Sequence, residues 1–315
     1  MNSGLVVVGL TTLDIVARPI DALTHTERAI LIDGIVCAPA GTAAGAALVA
    51  AKLGTSVKLV GAVGDDMTAG FVRLGLEQVG VDTSLLRTHA GQRTSTTLLT
   101  VESDGRRSSY HMAGAGSAAP IDDEAIAAAR SARFVHYGAV GGLLTDGGPG
   151  EAFLRAAKEG GAIVSCDLIG PRGSAVAEIQ RLLPFVDYFM PSAAEAEILS
   201  GTETLDDAAN QFLAWGAKAC IIKNGRSGAY VWMDGEHHVV PAFAINPKDT
   251  TSCGDSFCAG FITALDRGWA PLDACRFANM TAGLVAEGLG TLGALVGFDE
   301  TVAAMETHEV LAAAG

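Results

Sequence analysis

Short apolar runs alternate with segments of helical length along almost the whole chain. Each run is too short for a typical helix, and most are followed by a stretch rich in Ala, Leu and Glu. Strand then helix, repeated, predicts a three-layer α/β/α sandwich with a mainly parallel central sheet. The predicted strands are Leu5 to Val8, Val57 to Val63, Phe134 to Tyr137, Ala162 to Cys166, Val186 to Met190 and Ala219 to Lys223.

Two regions interrupt this alternation. Ser95 to Glu102 and Arg106 to Met112 flank the turn Ser103-Asp104-Gly105 and predict a hairpin. Together with Arg18 to Val36, this hairpin predicts a small second β-sheet that projects from the main body. Another hairpin around Asp234-Gly235 predicts an antiparallel edge of the central sheet. Because there is no internal repeat and no long linker, we expect a single domain over residues 1–315.

The acidic balance of the chain argues against some functions. There are 21 Lys and Arg residues against 35 Asp and Glu residues, a formal charge of -14, which repels nucleic acid and anionic membrane surfaces. No apolar run is long enough to span a bilayer, and LVVVGL near the start predicts a buried strand rather than a signal peptide. The six cysteines form no CxxC pair and predict reduced thiols in a cytoplasmic protein.

The stretch DTTSCGDSF, Asp249 to Phe257, places small residues directly before a helical pattern. The first amides of a helix have no partner within it, and small side chains leave these amides open to an anion. Asp255 is then expected beside that anion, where its carboxylate can accept the proton of an attacking hydroxyl. Ser252 or Asp249 is the expected N-cap. The simpler alternative is that Asp255 only interacts favourably with the helix dipole.

Further motifs follow one another along the chain. They are GLTTLDIV near the start, PAGTAAGAA at 39–47, PSAAEAE at 191–197, IIKNGRSGAYVW at 221–232, DTTSCGDSF and FANMTAGLVAEGLG at 277–290. In this order they resemble the ribokinase-like (PfkB-type) carbohydrate kinases over nearly the whole chain. The resemblance implies ATP-dependent phosphorylation of a hydroxyl group on a small sugar or sugar-like molecule. It also implies that the small sheet is a lid, formed by about residues 12–36 and 94–113.

The resemblance further implies roles for particular residues, with Asp255 as the catalytic base. The other implied roles are an anion hole (Ser252, Cys253, Gly254), acceptor binding (Asp14, Gly41, Gly45), ATP binding (Ser192, Lys223, Gly225, Gly228, Asn279), magnesium held through water (Glu195) and a family potassium site (Asp249, Thr251). Asp14 is expected at the end of the first strand. We expect ATP and magnesium as cofactors and a homodimer formed through the lid. From the residues alone, Lys223 can equally be a plain strand end and Glu195 a solvated helix charge.

Several positions depart from the family pattern. Ala40 replaces the first glycine of a pair, and Gly45 stands where many members have an Asn that bonds sugar hydroxyls. Ser192 replaces an Asn on the phosphate side. Ser252 replaces a glycine of the anion hole, which costs about 1 kcal/mol if that position needs a positive φ. The acceptor is therefore not fixed by the sequence.

The sequence bears on four other functions. A sensor that kept the fold and lost catalysis, or a nucleoside kinase, is compatible with the substitutions described above. A nicotinamide dehydrogenase is suggested only by GAGSAA, Gly114 to Ala119, but Pro120 follows at once and the next predicted strand ends without an acid for ribose. A Walker-type ATPase is excluded, since no Gly-Lys-Ser or Gly-Lys-Thr occurs in the chain.

Overall fold

The computed structural model describes residues 3–22, 27, 29–117, 120–140, 149–168, 170 and 175–312. Its strands are β1 (Ser3–Gly9), β2 (Thr12–Arg18), β3 (Gly34–Ala40), β4 (Val57–Gly64), β5 (Leu86–His89), β6 (Thr96–Val101), β7 (Arg107–Met112), β8 (Ala132–Val140), β9 (Ile163–Leu168), β10 (Tyr188–Phe189), β11 (Ala219–Lys223), β12 (Ala229–Met233) and β13 (Glu236–Val240). Its α-helices are α1 (Thr42–Lys52), α2 (Met67–Gln78), α3 (Asp123–Ser131), α4 (Pro149–Glu159), α5 (Ala175–Leu182), α6 (Ala193–Ser200), α7 (Leu205–Ala214), α8 (Cys253–Asp266), α9 (Pro271–Ala286) and α10 (Phe298–Thr307).

The larger of the two sheets is mainly parallel, as predicted. Its strand order is β13-β12-β11-β10-β9-β8-β1-β4-β5. The pairs from β11 to β5 are parallel, whereas β12 and β13 pair antiparallel and form one edge. All six predicted strands and the hairpin around Asp234-Gly235 are confirmed. Strand β5 was not predicted.

Helices cover both faces of this sheet. Along β1 the side chains alternate, so that Leu5 and Val7 enter one apolar core and Val6 and Val8 enter the other. The first core contains residues of α1, α2, α8, α9 and α10, and the second contains residues of α3 to α7. The three-layer α/β/α sandwich is therefore confirmed.

The small second sheet is formed by β3, β2, β6 and β7, in that order. The predicted hairpin corresponds to β6 and β7. Strand β3 ends at Ala40, four residues beyond the expected end of the lid segment at position 36. Residues 23–26 and 28 of that segment lie outside the described residues.

Two further findings bear on the alternatives. None of the helices in the described ranges is long and apolar enough to cross a membrane. In the described part of GAGSAA, residues 115–117 form a short 3-10 turn after β7 of the small sheet, and α3 begins only at Asp123. Because this motif does not open a helix after a strand of a βαβ unit, the structure gives the dehydrogenase alternative no support; residues 118–119 are outside the described ranges.

Candidate active site

A cavity of about 830 Å³ lies at the carboxyl ends of β9 and β11. Open α/β sheets bind ligands at this edge, because the loops that follow the strands leave a crevice there. The structure brings ten of the predicted site residues together in its lining: Ser192, Glu195, Lys223, Gly225, Gly228, Ser252, Cys253, Gly254, Asp255 and Asn279.

The N-terminus of α8 points its first turn into this cavity. Ser252 is the N-cap residue, as predicted, but its side chain makes no capping hydrogen bond. Its φ of 57° lies in the left-handed region, so the strain expected for a serine at this position is present. Cys253 N donates only a long bond of 3.4 Å to Thr250 O. The amides of Gly254 and Asp255 follow in the first turn, where a helix supplies no acceptor.

Asp255 is half-buried and lines the cavity. Burial, and after it the charge of Asp167, raises the pKa of Asp255 to about 7, while Lys223 and a hydrogen bond from Ser252 act in the opposite direction. A Cβ atom on Gly45 of α1 would stand 3.1 Å from Asp255 Oδ2. A carboxyl group with a pKa near neutrality, beside open amides, is suited to act as a general base.

Asp167 and Lys223 form a buried ion pair at the floor of the cavity. Lys223 Nζ lies 2.6 Å from Asp167 Oδ2, and the two side chains are 11% and 5% exposed. Burial alone would lower the pKa of Lys223, but the carboxylate of Asp167 raises it. Sequence reasoning missed Asp167, although it directly follows the predicted strand Ala162 to Cys166, and such a position faces the ligand edge of the sheet.

Ser192 and Glu195 are joined in a capping box at the start of α6. Glu195 Oε2 accepts hydrogen bonds of 2.7 Å from both the amide and the hydroxyl of Ser192. Burial, then the charge of Asp167, raises the pKa of Glu195, and Lys223 opposes this. Glu195 is thus a fixed carboxylate at the cavity wall rather than a freely solvated helix charge.

Three further residues predicted to bind the nucleotide, Gly225, Gly228 and Asn279, also line the cavity. Gly225 and Gly228 have φ values of 51° and 89° in the turn between β11 and β12. A Cβ on Gly228 would lie 2.2 Å from Val240 O, so only glycine lets these two segments approach. Asn279 Nδ2 donates to Val240 O and Pro241 O at 3.0 and 3.1 Å. This amide group therefore fixes the segment after β13 beside the cavity.

The predicted acceptor-binding residues Asp14, Gly41 and Gly45 do not line this cavity but lie beside it. The expectation that Asp14 ends the first strand was wrong: β1 ends at Gly9, and Asp14 lies within β2 of the small sheet. The turn to β2 needs only two residues, which the apolar pattern did not reveal. Asp14 is 7% exposed, and its Oδ1 atom has no hydrogen-bond partner among the described residues. Burial raises its pKa to about 6, against a hydrogen bond from Thr97.

Gly41 is the N-cap of α1, with a φ of 94°. A Cβ atom there would lie 2.6 Å from Leu10 O, which no other residue can tolerate without a shift of the backbone. The turn that opens α1 therefore depends on this glycine for its conformation.

The small sheet also contributes Arg107, which sequence reasoning missed. Its guanidinium donates to Thr250 Oγ1 and lines the cavity. In the ladder, Val101 pairs with Arg107 and Thr97 pairs with His111 and Asp14, so Arg107 and Asp14 point to the same face. The inner face of the small sheet thus reaches the loop before α8.

The predicted potassium residues lie in that loop, behind the cavity wall. Asp249 is almost fully buried, and its carboxylate accepts hydrogen bonds from Thr251 N, Thr251 Oγ1 and Gly290 N at 2.9, 2.6 and 2.9 Å. Asp249 is therefore not the cap of α8. Within the described ranges, no group of three or more His, Cys, Asp and Glu side chains could hold a metal ion.

Comparisons with known proteins agree with this architecture. Residues 2–295 match the family model described as pfkB family carbohydrate kinase. This protein belongs to the pfkB family of carbohydrate kinases. It is 28% identical over 301 residues to a ribokinase of Staphylococcus aureus, covering 91% of this chain and 94% of the relative. It is 29% identical over 241 residues to a fructokinase of Solanum tuberosum, covering 74% and 73%.

Among solved structures, this pfkB-family kinase resembles the Arabidopsis thaliana ribokinase complexed with ribose and ATP. The TM-score is 0.80 at 24% sequence identity, and the match covers 97% of this chain and 99% of the other. At this identity the likeness shows the fold. The family match covers both the segment with Gly45 and the loop before Asp255.

Proposed function

We propose that this pfkB-family protein transfers the γ-phosphoryl group of ATP to a hydroxyl group of a small sugar or sugar-like molecule. The observation that carries the proposal is the position of Asp255. Its carboxylate lies in the first turn of α8 and lines the same cavity as the residues expected to bind ATP. The ribokinase and fructokinase relatives support a sugar as the acceptor.

In this mechanism the acceptor hydroxyl donates its proton to Asp255 as its oxygen attacks the γ-phosphorus in line with the leaving group. Ionised Asp255 is the active form, and burial keeps its pKa close to 7. The amides of Gly254 and Asp255, with Cys253 and Ser252 shaping the loop, stabilise negative charge on the transferring group.

The nucleotide lies along the wall formed by Ser192, Lys223, Gly225, Gly228 and Asn279. The cavity is within the size range of nucleotide and cofactor sites. Glu195 fits a role in holding magnesium, since Mg²⁺ prefers oxygen ligands and usually combines one or two carboxylates with phosphate oxygens and water. When bound, the ion neutralises charge on the phosphates.

Acceptor hydroxyls bind beside Asp14 and the start of α1, the segment that carries Gly41 and Gly45. The Oδ1 atom of Asp14 has no donor among the residues that the structure describes, and a sugar hydroxyl supplies one. The small sheet acts as a lid that excludes water, so that ATP is not hydrolysed in place of transfer. Arg107 links this lid to Thr250 in the loop before α8.

We also propose a homodimer that forms through the outer face of the lid. The ladder places four apolar side chains on the face opposite Asp14, and they are strongly exposed: Ile35 63%, Leu98 43%, Tyr110 51% and Met112 41%. Patches of this kind often mark protein interfaces. Sedimentation analysis of Leu98→Asp should show monomers where the original chain shows dimers; monomers in both exclude the dimer.

The potassium site near Asp249 and Thr251 and a cytoplasmic location stay predictions. The hydrogen bonds of Asp249 already satisfy much of its carboxylate. Activity measured with potassium and with sodium tests the potassium site: a lower rate in sodium is expected if the site exists, and equal rates exclude it.

A panel of sugars and nucleosides with ATP and magnesium tests the proposed function. ADP release above the level without acceptor is expected with at least one sugar. Both sugars and nucleosides present hydroxyl groups, so the panel contains both. ADP release with nucleosides alone identifies a nucleoside kinase. If no compound raises ADP release while several bind, the protein is a sensor and the kinase proposal is rejected.

A further inference from the structure

The Asp167–Lys223 pair occupies an unusual place for a buried ion pair. Lys223 Nζ is 2.6 Å from Asp167 Oδ2, and a Cβ atom on Gly254 would lie 3.3 Å from the same nitrogen. The ammonium group is therefore packed against the N-terminal turn of α8. A cation at a helix N-terminus opposes the helix dipole, and replacing a buried ion pair by apolar residues is often neutral or stabilising.

The pair is also rigidly held. Lys223 ends β11 and Asp167 lies next to the end of β9, so both are carried by strands of the central sheet. The thiol of Cys258, one turn beyond Asp255 on α8, lies 3.3 Å from Asp167 Oδ2 and 3.7 Å from Lys223 Nζ. Asp167 Oδ1 is buried and has no hydrogen-bond partner among the described residues. Asp167 Oδ2 thus accepts from both the Lys223 ammonium and the Cys258 thiol, and the ammonium is the nearer of the two donors.

These distances indicate that the Asp167–Lys223 pair has a role other than stabilising the fold. The ammonium stands beside the open amides that are expected to receive the phosphoryl group, and beside the carboxylate that receives the proton. A positive charge at this point favours an ionised carboxylate and an incoming anion, and in a site with little water it is only weakly screened.

Building on the proposed function, we propose that Asp167 and Lys223 form a positioning unit for phosphoryl transfer. Asp167 holds the Lys223 ammonium against Gly254, and the ammonium acts through Asp255 by keeping its carboxylate in the ionised form that accepts the proton. Neither residue needs to touch the acceptor for this role.

Other charged or titratable groups also face Asp255. Asp14 of β2 and Asp167 of β9 disfavour its ionisation, whereas Lys223 of β11 favours it. The charges of Asp167 and Lys223 also act on Glu195 of α6, and Gly45 of α1 lies beside Asp255 Oδ2. The thiols of Cys253 and Cys258 lie on α8 itself, and burial raises the pKa of both thiols. Lys223 thus opposes the effect of Asp14 and Asp167 on Asp255, while Arg107 of β7 acts on Asp14.

The test compares the pH dependence of kcat in single and double variants. Lys223→Met leaves the carboxylates without their counter-charge, so the acid limb of the pH profile should move to a pH roughly one unit higher. Asp167→Asn removes a negative charge beside Asp255, so the acid limb should move to lower pH by a similar amount. Asp167→Asn combined with Lys223→Met removes a neutral pair and should return the limb towards its original position.

Two controls separate this role from a structural one. Lys158→Met breaks another pair, 2.6 Å from Asp187, whose partly buried side chains lie outside the cavity; it should leave the profile in place. Lys223→Arg keeps the charge and should keep the midpoint of the acid limb. The proposal is overturned if Lys223→Met and Asp167→Asn both lose activity while the acid limb stays in place. It is also overturned if the acid limb moves in the same direction in both variants.

A second measurement does not depend on turnover. In protein labelled with ¹³C at the aspartate carboxyl carbons, the signal lost in Asp255→Asn reports the titration of Asp255 directly. If the titration midpoint of Asp255 shifts in opposite directions in Lys223→Met and Asp167→Asn, the proposed role of the pair is supported. Equal titration curves overturn that role. If no acceptor is phosphorylated, the proposed function fails, yet this titration still decides whether the pair controls Asp255.

Discussion

Replacing Asp255 by Asn should make the protein more stable at neutral and alkaline pH. The carboxyl group has a pKa of 3.8 when unperturbed and about 7 in the folded protein. Because the folded state binds this proton more tightly, ionisation above the unfolded pKa costs free energy of folding. The cost is absent below about pH 4, grows as the pH rises and is complete above about pH 7.

The size of this cost follows from the shift. A difference of about three pKa units corresponds to about 4 kcal/mol. Because Asp255 is only half-buried and borders a cavity, water reduces this figure, and we expect about 1 to 3 kcal/mol at pH 8. Residues held for catalysis often carry such a cost.

Urea unfolding of Asp255→Asn and of the original chain at pH 4 and pH 8 measures it. The variant should gain stability relative to the original chain at pH 8 and show little difference at pH 4. Asp33→Asn, which changes an exposed carboxylate before β3, serves as the control and should show no such rise. A variant that is equally stable or less stable at pH 8 would refute the claim that the folded protein disfavours ionised Asp255.

Three glycine-related substitutions test the backbone of the site. Ser252→Gly should stabilise the protein by about 0.5 to 1 kcal/mol in urea unfolding, because the φ of 57° strains a serine; destabilisation would show that the serine hydroxyl matters more than the strain. Gly41→Ala should destabilise by about 2 kcal/mol or more, since its Cβ would meet Leu10 O at 2.6 Å, and a neutral effect would contradict the described turn. Gly45→Ala should lower kcat with little change in the dissociation constant of ATP, because the new methyl group would press on Asp255 Oδ2 at 3.1 Å; unchanged turnover would argue against that contact.

Much of the fold was predictable because its signals are local. Apolar runs and helical spacing predicted the strands around β1 and β4, and Gly-rich turns predicted both hairpins. Strand β5, Leu86–His89, has only one buried residue in four, so its sequence carries no apolar run. Its pairing with β4 depends on tertiary contacts that no short window contains.

The site was predictable where a role depends on a residue within one motif. The loop before α8 and the turn at Gly225 and Gly228 fall into the cavity as expected. The cavity lining also contains Asp167, Lys223 and Arg107, which come from segments far apart in the chain. No single motif therefore predicts the Asp167–Lys223 ion pair or the contact of Arg107 with the loop before α8. Asp14 was assigned to the wrong strand because Leu10 and Thr11 look like a continuation of the apolar run.

The rate of phosphoryl transfer in a single turnover tests the central claim most directly. With an acceptor found in the panel, Asp255→Ala should lower this rate by roughly 10² to 10⁴ while the dissociation constant of ATP stays within about twofold. Such a result assigns Asp255 to the chemical step. A rate close to that of the original chain, or a loss explained entirely by weaker ATP binding, would contradict the assignment of Asp255 as the base.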